Sequence, residues 1–186
     1  IRLGANFLDY LTITNNLIIG GIRGLGDLKN GGLWTVTHNT VLNGQGSDPG
    51  PNALVSTQET VVPELIFKDN IGHVVCTAFN NYPAAYAIHT ILNNVWIDAD
   101  SGCSGGVNVN TYGTGSGLSP IAANDAAVQF TNAGTGDYSL APGSPYKNAA
   151  SDGADPGVNM VTLNAALGAQ QSARGIVTGK AITTGK

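Results

Sequence analysis

The chain of 186 residues holds 8 Lys or Arg against 12 Asp or Glu, so 11% of it is charged and its formal net charge is −4. An average soluble domain is about 25% charged; the missing cationic clusters exclude nucleic acid as a partner, and no run of 18 apolar residues offers a membrane span. With 42% hydrophobic residues, and Gly (26) and Asn (19) filling nearly a quarter of the positions, the composition predicts a folded core rather than a disordered segment.

The first residue is Ile1, with no leader in front, which is read as the mark of a processed leader or of a piece of something longer. A first strand-like segment follows at Leu11-Thr-Ile13-Thr-Asn15-Asn16-Leu17, and a second at Trp34-Thr-Val36-Thr-His38-Asn39-Thr40. Asn43 to Asn52 is a run of turn formers without an apolar residue, predicted to be a loop insertion. A third segment is Leu65-Ile-Phe67-Lys-Asp69-Asn70-Ile71, and a fourth is His89-Thr-Ile91-Leu-Asn93-Asn94-Val95. Each has apolar or aromatic residues five and three positions before a fixed Asn, with His89 as the imperfect match, and this alternation is that of a strand with one buried face.

The fixed residues Asn16, Asn39, Asn70 and Asn94 are 23, 31 and 24 residues apart. A period in the low twenties predicts one turn of a solenoid, the longer interval carrying the loop insertion. The fixed Asn is expected to occupy a left-handed corner, which Asn tolerates. Stacked in successive turns, its amide is expected to donate to the next turn. Past Trp96 the pattern fades into Gly, Ser and Asn up to Ser119, predicted to be a long surface loop. Cys76 and Cys103 lack metal-ligand spacing and are expected to form one bridge in an oxidising compartment or to stay as two buried thiols in a reducing one. Met160, Leu163 and Leu167 have helical spacing, predicting a cap on the open end. Residues 1–167 thus form the solenoid with its closing part, and 168–186 a tail or late strand.

The segments Leu11–Asn16, Trp34–Asn39 and Leu65–Asn70 resemble the rungs of right-handed parallel β-helix proteins of the pectate-lyase-like superfamily. Val128-Gln-Phe130, Gly136-Asp-Tyr-Ser-Leu140, Gly143-Ser-Pro-Tyr-Lys147 and Asp152-Gly-Ala-Asp155-Pro-Gly157 are similar to the closing segment of secreted bacterial members, which runs back along the stack. The resemblance covers about residues 7 to 167. It implies an all-β, right-handed parallel β-helix of about four turns plus a closing segment, in a secreted or cell-surface protein. Because the superfamily mixes lyases, hydrolases, epimerases and inactive proteins, it implies no single reaction.

Superposing the turns aligns Asn15, His38, Asp69 and Asn93 just before the fixed Asn, with Thr14, Thr37, Lys68 and Leu92 before those. Adjacent turns are about 4.8 Å apart, which places His38, Lys68 and Asp69 on one outer ridge as the candidate substrate-binding set; a solvated polar ladder is the competing reading. Polyuronate lyases of this fold use an Arg or Lys base and a cation, so calcium is the cofactor the resemblance allows. Asp9, Asp27 and Asp69 are too scattered to reproduce the family's acid cluster, Asp27 is expected to form a surface ion pair with Arg23 or Lys29, and Asp98-Ala-Asp100 lacks the later ligands of a calcium loop. No zinc spacing, nucleophile elbow, phosphate loop or N-glycosylation sequon occurs, and no catalytic residue is assigned. The expected function is therefore binding or degradation of an extracellular polysaccharide. The alternative is a non-catalytic structural or adhesive solenoid that self-associates through its open ends.

Overall fold

The computed structural model describes residues 10–19, 32–42, 53–55, 62–74, 77–79, 86–98 and 119–173. The loop expected at 43–52, both cysteines, most of the loop after Trp96, Asp9, Asp27 and its cations, Asp100 and the tail from Arg174 lie outside these residues.

Four strand pairs carry the repeat. They are β1 (Tyr10–Thr14) with β2 (Leu17–Ile19), β3 (Leu33–Thr37) with β4 (Thr40–Leu42), β6 (Val62–Lys68) with β7 (Ile71–Val74), and β9 (Tyr86–Leu92) with β10 (Val95–Asp98). In each, a two-residue corner ending in the fixed Asn separates a longer strand from a shorter one, and the unit is called a rung below. The first strands form one parallel sheet, β1-β3-β6-β9, and the second strands another, β2-β4-β7-β10, extended by β11 (Ile121–Ala122). A small parallel pair joins β5 (Ala53–Val55) to β8 (Thr77–Phe79). The protein is thus mostly β, with parallel strands in stacked, solenoid-like sheets.

The register matches the repeat read from sequence: Leu11 pairs with Trp34, Trp34 with Leu65 and Leu65 with His89, while Ile13, Val36, Phe67 and Ile91 form the next inner row. Strict alternation puts these side chains on one face, and Trp34, Val36, Leu65, Phe67 and Ile91 are all buried. The Phe67 ring stacks on Trp96 of the second sheet with centroids 5.9 Å apart, and Val41 of that sheet is buried too. His89 holds its inner-row place but is only half-buried.

The second sheet is covered on its other face as well. Leu42, Ile71, Val95, Ile97 and Ala122 form a second core with Val128 and Leu140 of the C-terminal region. Burial on both faces explains why these short strands read as continuous apolar runs such as Val95-Trp-Ile97. The covering layer is built from α1 (Asp125–Val128) and a hairpin of β12 (Phe130–Asn132) and β13 (Asp137–Leu140) closed by a 3-10 turn at Ala133–Thr135. Phe130, Tyr138 and Tyr146 complete it. Asn124 caps α1 by accepting the Ala127 N–H at 3.0 Å, and the His73 imidazole of β7 meets Asp125 at 2.6 Å.

The last element is α2 (Met160–Ala173). The helix expected at 159–167 exists, and it runs on through the boundary placed at 167. Only Met160 and Leu163 of its apolar residues up to Leu167 are half-buried, with Val161 81% and Leu167 47% exposed.

Candidate functional site

The corner residues decide what the outer ridge does. Asn15, His38, Asp69 and Asn93 have φ of 55, 53, 60 and 53°, whereas the fixed asparagines after them do not have positive φ. This corrects the expected assignment by one position: the left-handed corner belongs to the residue before the fixed Asn. The types found there, Asn, His, Asp and Asn, are those that tolerate this region best among residues with a Cβ. A left-handed corner turns its own side chain outward and frees the next Asn to point into the stack.

The freed asparagines form a ladder. Each amide nitrogen donates to the side-chain oxygen of the next rung, Asn16 to Asn39, Asn39 to Asn70 and Asn70 to Asn94, at 3.0 Å in every case. The same oxygens accept backbone N–H groups at 2.9–3.0 Å. Asn39, Asn70 and Asn94 also donate backward to the carbonyls of Ile13, Val36 and Phe67, each at 2.9 Å. Bonds therefore run to both neighbouring rungs, and the buried amides are satisfied.

On the outer ridge, the three residues expected to bind substrate do come together. The Asp69 carboxylate is 3.6 Å from Lys68 Nζ and 3.8 Å from His38 Nε2. The structure adds two residues that sequence reasoning missed, Ser151 and Asp152. Asp69 Oδ1 accepts the Ser151 N–H at 2.6 Å and Oδ2 accepts the Ser151 hydroxyl at 2.7 Å, while Lys68 Nζ donates to the same hydroxyl at 2.8 Å. Asp152 lies 3.2 Å from His38 Nε2. The Ala154 N–H, and the nearby His38, hold the Asp152 carboxyl below the usual carboxylate range.

The same contacts extend along all four rungs. Asn93 Nδ2 donates to the Ala149 carbonyl at 2.8 Å, the Gly157 N–H donates to the Asp69 carbonyl at 2.8 Å, the Val158 N–H donates to Thr40 Oγ1 at 2.9 Å, and the Asn159 N–H donates to Asn15 Oδ1 at 2.6 Å. Residues 149–159 therefore run from the fourth rung back to the first, the course expected of the closing segment. Gly157 is required where this strap passes closest: its φ is +82°, and a Cβ there would lie 2.6 Å from Thr40 Oγ1. The signal was present in the sequence as four corner residues with hydrogen-bonding side chains, but nothing local told that their partners lay some 60 to 140 residues away.

Asp155 pairs with Lys147 and accepts the Asn148 N–H. Between the strap, the hairpin and the start of α2 runs an open groove of about 870 Å³. His38, Asn15, Asp137, Asn148, Asp152 and Asn159 line it. Lys68 and Asp69 do not, so only His38 of the expected set faces this space. Two hydrogen bonds from Ser139 depress the Asp137 carboxyl, so Asp137 and Asp152 both present ionised acceptors. Among the described residues no three His, Cys, Asp or Glu side chains assemble in a metal-binding arrangement, and no helix is long and apolar enough to cross a membrane.

These features define a parallel, solenoid-like β protein whose corner ridge is strapped by its own C-terminal segment. No protein-family model matches the chain, no curated protein matches it, and no solved structure matches it.

Proposed function

We propose that the chain is a right-handed parallel β-helix of the pectate-lyase-like kind, about four turns with a closing segment, and that it binds an extracellular polysaccharide as a secreted or cell-surface protein. Right-handedness is supported by the general rule for parallel crossover connections. The observation that carries the binding reading is the groove beside His38 and Asp152. Its carboxylates and amides are suited to accept and donate hydrogen bonds to sugar hydroxyls, and it is open to solvent.

One feature favours binding over turnover. Both amines that could serve as a lyase base are engaged: Lys147, which lines the groove, pairs with Asp155, and Lys68 is held by Ser151 and Asp69. Three carboxylates line the groove, Asp137, Asp152 and Asp155, against Lys147 and His38, so a polyuronate would need a bridging cation such as calcium there. The second reading, a non-catalytic structural solenoid, is favoured by one observation: both oxygens of Asp69 are already occupied by the chain itself.

Titration calorimetry against neutral, amino-sugar and uronate polysaccharides, with and without calcium, separates the readings. Binding is expected to weaken about tenfold in His38→Ala or Asp152→Ala, as for loss of one hydrogen bond to a charged group. Ultraviolet absorbance of an unsaturated uronide would reveal lyase turnover. No binding by any polysaccharide, with calcium present, would leave the structural reading.

A further inference from the structure

The groove beside the strap carries an unbalanced charge. Asp137, Asp152 and Asp155 line it, and among the described lining residues only Lys147 and His38 stand against them. Asp155 and Lys147 neutralise each other by direct pairing. His38 is shared: its Nε2 lies 3.2 Å from Asp152 and 3.8 Å from Asp69, which stands outside the groove. Asp137 meets no described cation. It accepts the Ser139 N–H at 3.1 Å and the Ser139 hydroxyl at 2.6 Å, both on Oδ1.

Hydrogen bonds from Ser139 hold the Asp137 carboxyl below its usual range, and the Ala154 N–H with nearby His38 does the same for Asp152. Both acids therefore stay ionised at neutral and mildly acidic pH. With His38 neutral the described lining keeps two uncompensated negative charges, and with His38 protonated it keeps one. The rest of the wall is uncharged. Asn148 and Asn164 bring carboxamides, which both donate and accept, and Val161, 81% exposed, brings an apolar surface. Hydroxyls and the C–H face of a sugar ring match that mixture.

Resting on the polysaccharide reading above, we infer that the groove selects an amino-sugar polymer with free ammonium groups over uronate and N-acetylated polymers, through Asp137 and Asp152. A uronate chain brings like charge to this surface, and an N-acetylated chain leaves the two carboxylates uncompensated. Ammonium groups donate to them in charge-assisted hydrogen bonds, while ring hydroxyls pair with the carboxamides.

Titration calorimetry with a glucosamine hexasaccharide and its fully N-acetylated counterpart tests this, since the two share one backbone. At mildly acidic pH, above the carboxylate range, the free-amine form is expected to bind about tenfold more tightly. That gap is expected to narrow as salt is raised. Asp137→Asn is expected to weaken the free-amine form about threefold more than the N-acetylated form. Equal or tighter binding of the N-acetylated form by the unaltered protein would overturn the selection and leave the polysaccharide reading standing. No binding by either form, or by any polysaccharide of the wider panel, would remove that reading and this inference with it. Equal affinity for a lysine hexapeptide would show that charge alone attracts the ligand, and would overturn the amino-sugar assignment. The comparison of the two sugars needs no variant, so misfolding of Asp137→Asn does not decide the outcome.

Discussion

The carboxamide of Asn70 is a junction between three rungs. It donates to Val36 behind, to Lys68 in its own rung and to Asn94 ahead, and it accepts the N–H and amide of Asn39. Removing it strands buried donors on one side and buried acceptors on the other, and an unsatisfied buried group costs more than the bond it once made. Asn70→Ala is therefore expected to lower stability by about 3 kcal/mol, with a matching fall in the urea midpoint. Asn16→Ala, in the first described rung and half-buried, is expected to cost only about 1 kcal/mol. Equal losses at the two positions would show that the ladder does not act as a buried network. The sequence showed the ladder residues by spacing alone. It did not separate the corner role from the ladder role, because Asn is suited to both and neighbouring Asn pairs occur at Asn15-Asn16 and Asn93-Asn94. His38 and Asp69 resolve the ambiguity, since neither carries the carboxamide that both donates and accepts along the ladder.

Among the elements, the second sheet holds the molecule together because it serves two cores. Its Trp96 stacks on Phe67 of the first sheet, and its rows Ile71–Val95 and Leu42–Ile97 meet the C-terminal layer. Leu140, on β13, is 5% exposed and belongs to that second core. Leu140→Ala is expected to destabilise the protein by about 3 kcal/mol, as for a buried large-to-small change. Leu167→Ala on the exposed part of α2 is expected to change stability by less than about 0.5 kcal/mol. Chemical denaturation followed by far-ultraviolet circular dichroism reads both. Helical spacing at 160, 163 and 167 announced α2, yet it did not show that the stripe would stay largely uncovered. Periodicity states which face is apolar, and burial of that face depends on a neighbour that the segment itself does not encode.

At the scale of the whole molecule, the strap from Ala149 to Asn159 ties four rungs that otherwise contact only their neighbours. Its ionic contacts make the tie sensitive to acid. The Asp152 carboxyl is depressed by the hydrogen bond from Ala154 and by His38 beside it. A depressed value means that the stabilisation is fully present above the ordinary carboxylate range and is lost as the pH falls through and below it. The strap is therefore expected to become protease-sensitive near residues 149–159 as the pH drops below about 4, before the rungs unfold. Asp152→Asn is expected to flatten this dependence, and an unchanged acid profile in that variant would assign the sensitivity elsewhere.

The sequence by itself determined the rung: alternation selected the inner rows, and the interval between asparagines set the stacking register that the parallel sheets display. Both are local or periodic properties, repeated often enough that four copies reinforce one another. It also placed His38, Lys68 and Asp69 side by side, because register follows directly from the repeat. Only the tertiary structure decided what that ridge faces. Ser151 engages Asp69 and Lys68 across more than 80 residues of chain, and Asp152 meets His38 over a still longer span. Such contacts depend on where a non-repeating segment returns, and no periodicity records that path.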